Sequence, residues 1–175
     1  IFWRNTFKSN NGKIIPNNGV HFEMVSHEGN SQESQTEIEK IKEIIDALTN
    51  SEFQYLSSGE IKKGKITRKE IIVIAPYNKQ VQKLQDCLNE KAKISTVDKF
   101  QGREAAVAIF SLTSSTGNEA PRGLNFLLET NRLNVAISRA KCLSIIVGSK
   151  SLLSSSVNSI NEAQLINNIC KLSDY

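Results

Sequence analysis

The sequence predicts an α/β domain in which a mainly parallel sheet is covered by helices on both faces. Apolar runs of strand length recur along the chain and alternate with segments of helical period, the pattern of consecutive strand–helix–strand units. The middle runs are rich in valine and isoleucine and barely alternate, as strands buried on both faces do. The runs lie at 20–25, 71–75, 94–97, 105–112 and 143–147.

Four helices are predicted between and after these strands. Ser34 and Glu37 have the spacing of a capping box, so the first helix is expected to begin there. Ser159 and Glu162 repeat that spacing before the last helix. The apolar residues that would form one stripe on each helix are, in chain order, Ile38, Ile41, Ile45 and Leu48; Val81, Leu84 and Leu88; Leu133, Ala136, Ile137 and Ala140; and Leu165, Ile169 and Leu172.

The remaining segments are predicted as connections. Residues 50–69 are polar and contain two glycines and several lysines, so they are interpreted as a long surface connection with a short extended piece at 53–56. Residues 113–123 form a second polar loop. Residues 1–19 mix polar and aromatic side chains and are interpreted as a lead-in to the domain.

Composition limits the class of protein. The 175 residues, 39% of them apolar and 23% charged, suit one globular domain with a buried core. The net charge of +4 permits contact with a polyanion without requiring it. The three cysteines show no paired spacing, so reduced thiols and a cytoplasmic location are expected. The chain begins at Ile1 and its sole methionine is Met24, which favours a piece of a longer protein.

Candidate functional residues are sought just after each predicted strand, because open parallel sheets carry their chemistry at the carboxyl ends of strands. The run 96–104 crowds polar and charged groups there, although a simple polar loop explains it as well. Arg132 and Arg139 are seven residues apart and fall on nearly the same helix face. Arg139 could be a surface arginine, or an arginine finger that stabilises charge on a transferring phosphoryl group.

Several catalytic motifs are absent from the sequence. It has no G-x-x-x-x-G-K-[ST] phosphate loop, no acidic pair at the end of a predicted strand, no G-x-S-x-G elbow and no cysteine–histidine pair. A chain of this kind that handles a nucleotide would need a partner to complete the site.

Three stretches of the sequence together resemble motifs IV, V/Va and VI of superfamily 1 helicases, in the branch of the nonsense-mediated-decay RNA helicase. They are IVIAPYNKQ at 72–80, STVDKFQGRE at 95–104 and NRLNVAISRAK at 131–141. Their order and spacing match, and the resemblance covers about residues 20–150. Residues 27–30 and 120–127 are also similar to bacterial helicases fused to a RecB-like nuclease.

The resemblance implies that residues 1–175 are the second, C-terminal RecA-like motor domain of a helicase. ATP and Mg²⁺ would bind in the cleft shared with the first RecA-like domain, which would supply the phosphate loop and the Walker B acids. Arg139 matches the motif VI arginine and would meet the γ-phosphate. Gln101 and Gly102 would line the phosphate end of the cleft, and Glu104 would contact the nucleotide sugar or couple the site to motion.

The same resemblance implies a nucleic-acid track. Pro76, Tyr77, Asn78 and Thr96 match positions near it, where short polar groups and backbone amides hold phosphates regardless of base sequence. The expected partner is single-stranded nucleic acid, with DNA favoured over RNA by the nuclease-linked likeness, and the branch implies 5′ to 3′ polarity. We expect no membrane contact and no metal site within this chain alone.

Two departures and two alternatives complete the prediction. Many members of the branch carry an arginine in the stretch that opens the first helix, where this chain has SQTE at 34–37, and Ser138 stands where threonine is common. The main alternative is a RecA-like module that binds nucleic acid or protein without ATPase activity. A free-standing Rossmann-like enzyme is the other, and it lacks the expected G-x-G-x-x-G after the first strand.

Overall fold

The computed structural model describes residues 7–8, 14–15, 19–49, 51–88, 93–100 and 104–173. Its strands are β1 (Phe7–Lys8), β2 (Ile14–Ile15), β3 (Gly19–Val25), β4 (Glu52–Ser57), β5 (Glu60–Lys65), β6 (Ile71–Ile74), β7 (Lys93–Ser95), β8 (Ala105–Ser111) and β9 (Ala140–Ser149). Its α-helices are α1 (Gln35–Leu48), α2 (Asn78–Leu88), α3 (Gly123–Leu127), α4 (Thr130–Ser138), α5 (Lys150–Leu153) and α6 (Ile160–Ser173). Short 3₁₀ turns occupy Arg68–Glu70 and Val97–Phe100.

The central sheet confirms the predicted fold class. Its order is β3-β9-β8-β6-β7, and every neighbouring pair is parallel. Every residue of the middle strand β8 is buried, because helices cover both faces of the sheet. The architecture is the α/β arrangement of RecA-like domains.

Alternate residues of β8 divide the apolar core into two layers. Val107 and Ile109 pack with buried apolar residues of α1 and α2 on one face, whereas Ala108 and Phe110 pack with buried apolar residues of α3, α4 and α6 on the other. This is the two-residue period of a strand buried on both sides. Burial of each large aliphatic side chain contributes roughly 1.5–3 kcal/mol, so the sheet is a rigid base for the loops at its edges.

The helix starts agree with the capping signals, with one exception. Ser34 is the N-cap of α1, and its hydroxyl accepts the amide of Glu37 at 3.3 Å. The Ser159 hydroxyl accepts the amide of Glu162 at 3.2 Å before α6. A capping box also needs a hydrogen bond from the Ser34 amide to the Glu37 side chain. This part of the prediction is wrong, because the Ser34 amide donates instead to Oε1 of Gln80 at 2.8 Å.

The connection predicted at 50–69 is an antiparallel hairpin of β4 and β5. Its turn uses Ser58 and Gly59 with φ of 53° and 82°, the left-handed pair that two-residue hairpin turns require. Phe53 lies opposite Gly64, where a Cβ would come within 2.9 Å of the Phe53 ring. Five of the six residues of β5 are exposed and three are lysines, so this strand lacks the apolar alternation that would have predicted it.

The predicted helix over 131–141 ends earlier. The helix α4 stops at Ser138, and Ala140 opens β9, which is twice as long as the run at 143–147 predicted. Pairing with β8 extends this strand, since Ala105 and Ala140 are partners in register. Likewise, the run at 94–97 is shorter than predicted because β7 ends at Ser95 and a 3₁₀ turn follows.

Of the lead-in predicted at 1–19, the structure describes Gly19 and the short antiparallel pair of β1 and β2. In the described part of the chain, no helix is long and apolar enough to cross a membrane.

Candidate functional site

The candidate residues divide between opposite edges of the parallel sheet. Pro76, Tyr77 and Asn78 follow the carboxyl end of β6, and Thr96 follows that of β7. Glu104 and Arg139 instead precede the amino ends of β8 and β9. The run 96–104 is expected at the carboxyl end of a strand, and this placement is wrong for Glu104, which lies at the amino edge beside Arg139. The reason is topological: in a parallel sheet the run 96–104 must return from one edge to the other before β8 begins.

Arg139 lies at the junction of α4 and β9. It caps the helix at its C-terminus, and its Nε donates to the carbonyl of Val135 at 3.1 Å. A terminal nitrogen donates to the Ser138 hydroxyl at 3.1 Å. These bonds use two of the five guanidinium N–H donors, and the side chain is partly exposed. Arg139 is thus oriented by its own helix while donors remain for an outside anion.

Glu104 stands beside it at the amino edge. Its Oε2 lies 3.5 Å from Nζ of Lys141, and the Glu104 side chain is 58% exposed. In the sequence Lys141 is only the last residue of the motif VI stretch, and its pairing with Glu104 depends on the alignment of β8 with β9. Gln101 and Gly102 lie outside the described residues.

The loop after β6 presents its residues unequally. Asn78 is exposed and opens α2, and Pro76 is partly exposed. The Tyr77 ring is buried, with a relative exposure of 7%, and packs at a centroid distance of 5.9 Å from Phe126. Thr96, the residue after the neighbouring strand β7, is partly exposed. The edge therefore brings Pro76, Asn78 and Thr96 together at the surface, with Tyr77 beneath them.

The Tyr77 hydroxyl is buried and makes no hydrogen bond of standard geometry to the residues that the structure describes. Burial raises the pKa of Tyr77 above its ordinary value, while the nearby Ser114 hydroxyl and the positive charge of Arg122 act in the opposite direction. Tyr77 is accordingly neutral at physiological pH.

A buried carboxylate, which sequence reasoning assigned only to a helix cap, organises the carboxyl edge. Glu37 is fully buried, and both of its carboxylate oxygens accept the amide of Thr113, at 3.0 and 2.9 Å. The Ser111 hydroxyl also donates to it. Thr113 has a φ of 72°, a left-handed conformation that costs roughly 1–3 kcal/mol in a non-glycine residue. The carboxylate helps hold this loop in a conformation that it would otherwise avoid.

Gln80 connects the same network to α2. Its side-chain amide donates to Oγ of Ser111 at 3.0 Å, and its carbonyl oxygen accepts the Ser34 amide at 2.8 Å. Gln80 is fully buried, so these bonds satisfy polar groups that water cannot reach. The starts of α1 and α2 are thereby joined to the end of β8.

The network also contains a serine–histidine–glutamate sequence of contacts. The His27 ring lies 2.7 Å from Oγ of Ser115 through Nδ1, and 3.0 Å from Glu37 through Nε2. Such a series could activate a nucleophile. Here, however, Ser115 is fully buried and its oxygen already accepts the Asn30 amide at 3.0 Å, so a substrate cannot approach it. The arrangement is structural and fixes the loops at 26–34 and 112–115.

Two open polar hollows lie at this carboxyl edge. One, of about 260 Å³, is lined by Gly29, Asn30, Ser31, Gln32, Glu33 and Lys79. The other, of about 510 Å³, is lined by Ser26, Thr116, Asn118, Lys150, Ser151, Ser154, Ser155 and Ser156. Hydroxyls, amides and single lysines at this edge suit contacts to phosphate and sugar oxygens.

Comparison with known proteins places the chain in a family. A family model described as an AAA domain matches residues 4–151. The chain belongs to this family. Over an alignment of 135 residues it is 33% identical to the putative helicase mov-10-B.1 of Danio rerio. The alignment covers 67% of this chain and 12% of that relative.

Two further relatives of this AAA domain are also helicases by name. The probable helicase MAGATAMA 3 of Arabidopsis thaliana is 37% identical over 115 residues, covering 59% of the chain and 14% of the relative. The DNA polymerase alpha-associated DNA helicase A of Schizosaccharomyces pombe is 42% identical over 97 residues, and the alignment covers 54% of the chain and 14% of that relative. The chain spans about an eighth of the length of these relatives. It is a helicase-type motor domain of superfamily 1, in agreement with the three sequence motifs.

Proposed function

We propose that this chain is the second RecA-like motor domain of an ATP-dependent helicase or translocase. One observation carries the proposal: two clusters of polar residues occupy opposite edges of one rigid sheet. Glu104, Arg139 and Lys141 form the first at the amino edge, and Asn78 and Thr96 belong to the second at the carboxyl edge. A motor needs separate contacts to nucleotide and strand that move as one body.

The amino edge would form this domain's half of an ATP site. Arg139 would donate to the γ-phosphate and stabilise the charge that develops there, as an arginine finger does. Gln101 and Gly102 would line the phosphate end of the nucleotide cleft. Glu104 would contact the ribose or couple nucleotide binding to a movement of β8. The positive charge of Arg139 and Lys141 suits a triphosphate.

The remaining parts of the nucleotide site would come from the first motor domain. This sequence contains no phosphate loop, and the described residues contain no group of three or more side chains able to hold a metal ion. We therefore assign the phosphate loop and the Mg²⁺ ligands to that partner domain. Bound ATP would supply a γ-phosphate that both domains contact, so that its loss on hydrolysis weakens their association.

The carboxyl edge would hold one strand of nucleic acid through phosphate contacts. Asn78 offers side-chain amide donors and Thr96 a hydroxyl donor, whereas Pro76, which has no N–H, could contact only the sugar. Contacts to phosphate and sugar do not identify a base. Repeated closing and opening of the cleft would then move this grip relative to that of the first domain. We propose single-stranded DNA as the track, with the 5′ to 3′ movement that the resemblance to this branch implies.

The arginine that opens the first helix in many related helicases has no counterpart here. Gln35 stands in that stretch, is exposed and donates to Glu39 at 3.0 Å. This difference favours the second candidate function, a RecA-like binding module without ATPase activity. In the motor, Arg139 would carry more of the charge stabilisation, with Lys141 as an additional cation at the same edge.

The test compares nucleic-acid-stimulated ATP hydrolysis of the full-length protein and its Arg139→Ala variant. The motor predicts a loss of about a hundredfold or more with strand binding largely kept. Arg68→Ala is the matched control, since Arg68 forms its own ion pair with Asp46 and lies outside the three motif stretches. Unchanged hydrolysis in Arg139→Ala would refute the finger, and a wild-type protein that binds DNA without hydrolysing ATP would support the binding module.

A further inference from the structure

Two arginines, Arg122 and Arg132, make cation–π contacts with one aromatic ring, Phe126, at the carboxyl edge. The guanidinium carbon of Arg122 lies 3.8 Å from the centroid of Phe126, and that of Arg132 lies 4.4 Å from the same centroid. The buried Tyr77 ring packs against Phe126 in a tilted arrangement, with an angle of 39° between the rings. Both cations are therefore fixed relative to the loop that follows β6.

The two arginines differ in what else they contact. Nε of Arg132 donates to Oε2 of Glu129 at 2.8 Å, which compensates its charge. Arg122 is exposed and forms no ion pair among the residues that the structure describes. Of the two, Arg122 is the one that offers uncompensated positive charge and accessible N–H donors to the surface.

The backbone also fixes Arg122. It is the third residue of a tight turn that the Gly123 amide closes on the carbonyl of Ala120 at 2.9 Å. Pro121 occupies the second position and Gly123 the fourth, and Arg122 has φ −112° and ψ 11°, as a type I turn requires. Turn and ring together restrict the arginine before any ligand arrives, which reduces the entropy lost on binding.

We propose that Arg122 is a phosphate-binding residue that extends the nucleic-acid track from Asn78 toward α3. The cluster lies on the correct edge, since the Ala120–Gly123 turn ends the loop after β8, and Tyr77 lies in the loop after β6, the strand next to β8. A planar guanidinium with free donors binds phosphodiester oxygens well, and such backbone contacts carry no base identity. The ligand is thus the backbone of a single strand, read without sequence preference. This inference rests on the proposed motor function.

The experiment measures binding of the full-length protein to a fluorescent single-stranded DNA 12-mer at several salt concentrations. Arg122→Ala should weaken binding about tenfold, equally for different base sequences, because a charge-assisted hydrogen bond is lost. The slope of log K against log salt should become shallower by about 0.7, the value for one phosphate contact on a single strand. Arg68→Ala removes an equal charge elsewhere and should leave both quantities unchanged.

Two further variants separate the ring from the charge. Phe126→Leu keeps an apolar side chain but removes the ring, so binding should weaken less than in Arg122→Ala, with a nearly unchanged salt slope. Arg122→Lys keeps the positive charge but loses the planar guanidinium with its paired donors. It should likewise preserve the slope of log K against log salt. Thermal unfolding of each variant verifies the fold, which an exposed residue such as Arg122 should not disturb.

The outcomes distinguish this inference from the function beneath it. If Asn78→Ala weakens binding while Arg122→Ala matches wild type in affinity and salt slope, the track stands and Arg122 is not part of it. If wild type binds no strand at any salt concentration, the proposed function fails and this inference fails with it. A tenfold loss confined to one base sequence would overturn the phosphate assignment.

Discussion

The backbone amide of Ala105 donates to the carbonyl of Arg139 at 3.0 Å. This bond joins the last turn of α4 to the first residue of the central strand. Glu104 immediately precedes Ala105, and Lys141, which pairs with Glu104, lies two residues after Arg139. The candidate nucleotide contacts thus share one backbone junction, and a shift of α4 would be transmitted directly to β8.

The first prediction concerns Glu104→Ala in the full-length protein. The ion pair with Lys141 is long and exposed, so its loss should change the free energy of unfolding by less than about 1 kcal/mol. Stimulated ATP hydrolysis should nevertheless fall, because a contact or coupling residue of the nucleotide site is lost. Urea unfolding and steady-state hydrolysis measure the two effects separately.

Glu43→Ala is the matched control for Glu104→Ala, because it removes the acid of another ion pair, with Lys40 on α1, outside the three motif stretches. It should alter stability equally little and leave hydrolysis intact. Normal hydrolysis in Glu104→Ala would exclude Glu104 from the nucleotide site.

Local patterns in the sequence predicted the sheet, but they could not predict which edge each loop would reach. The apolar run of β8 and the Ser34 cap are short-range signals, and both are confirmed. Glu37 has the spacing of a capping residue, yet it bonds to Ser111 and Thr113, more than seventy residues away. That choice depends on strand order, which no local pattern encodes.

The second prediction tests this buried carboxylate. Glu37→Ala leaves the Thr113 amide, the Ser111 hydroxyl and the His27 ring without their acceptor inside the protein. Such a loss should lower the free energy of unfolding by about 3 kcal/mol, as for other broken buried polar networks. Denaturant unfolding followed by circular dichroism measures it.

Glu39→Ala serves as the comparison for Glu37→Ala, because Glu39 lies on the exposed side of the same helix. It should cost no more than about 0.5 kcal/mol. Equal losses in the two variants would mean that the Glu37 network contributes nothing beyond an ordinary surface contact.

The third prediction concerns thiol chemistry. Burial raises the pKa of Cys142 to about 11, an effect that Lys141 only partly offsets, whereas Cys87 is exposed. Because the thiolate is the reactive form, an alkylating reagent at pH 8 should label Cys87 far faster than Cys142. Mass spectrometry of partly labelled protein measures both rates, and comparable rates would contradict a protected Cys142.

The same raised pKa of Cys142 predicts a pH dependence of stability. The unfolded thiol ionises near 9.0 and the folded one near 11, so the unfolded state releases its proton first. The free energy of unfolding should therefore be unaffected below pH 9 and fall between pH 9 and 11, by at most about 2–3 kcal/mol from this group. A Cys142→Ala variant should lose part of this slope while Cys87→Ala keeps it.

The last prediction follows from the division of the nucleotide site between two domains. The 175-residue chain alone should hydrolyse no ATP, with or without DNA, because it has Arg139 but no phosphate loop. A catalytic arginine can stabilise transferring charge only when other groups hold the phosphates and the metal in line. Steady-state hydrolysis by the chain, beside the full-length protein as positive control and its Arg139→Ala variant as negative control, measures this. Turnover by the chain above the negative control would show that it holds a complete site of its own.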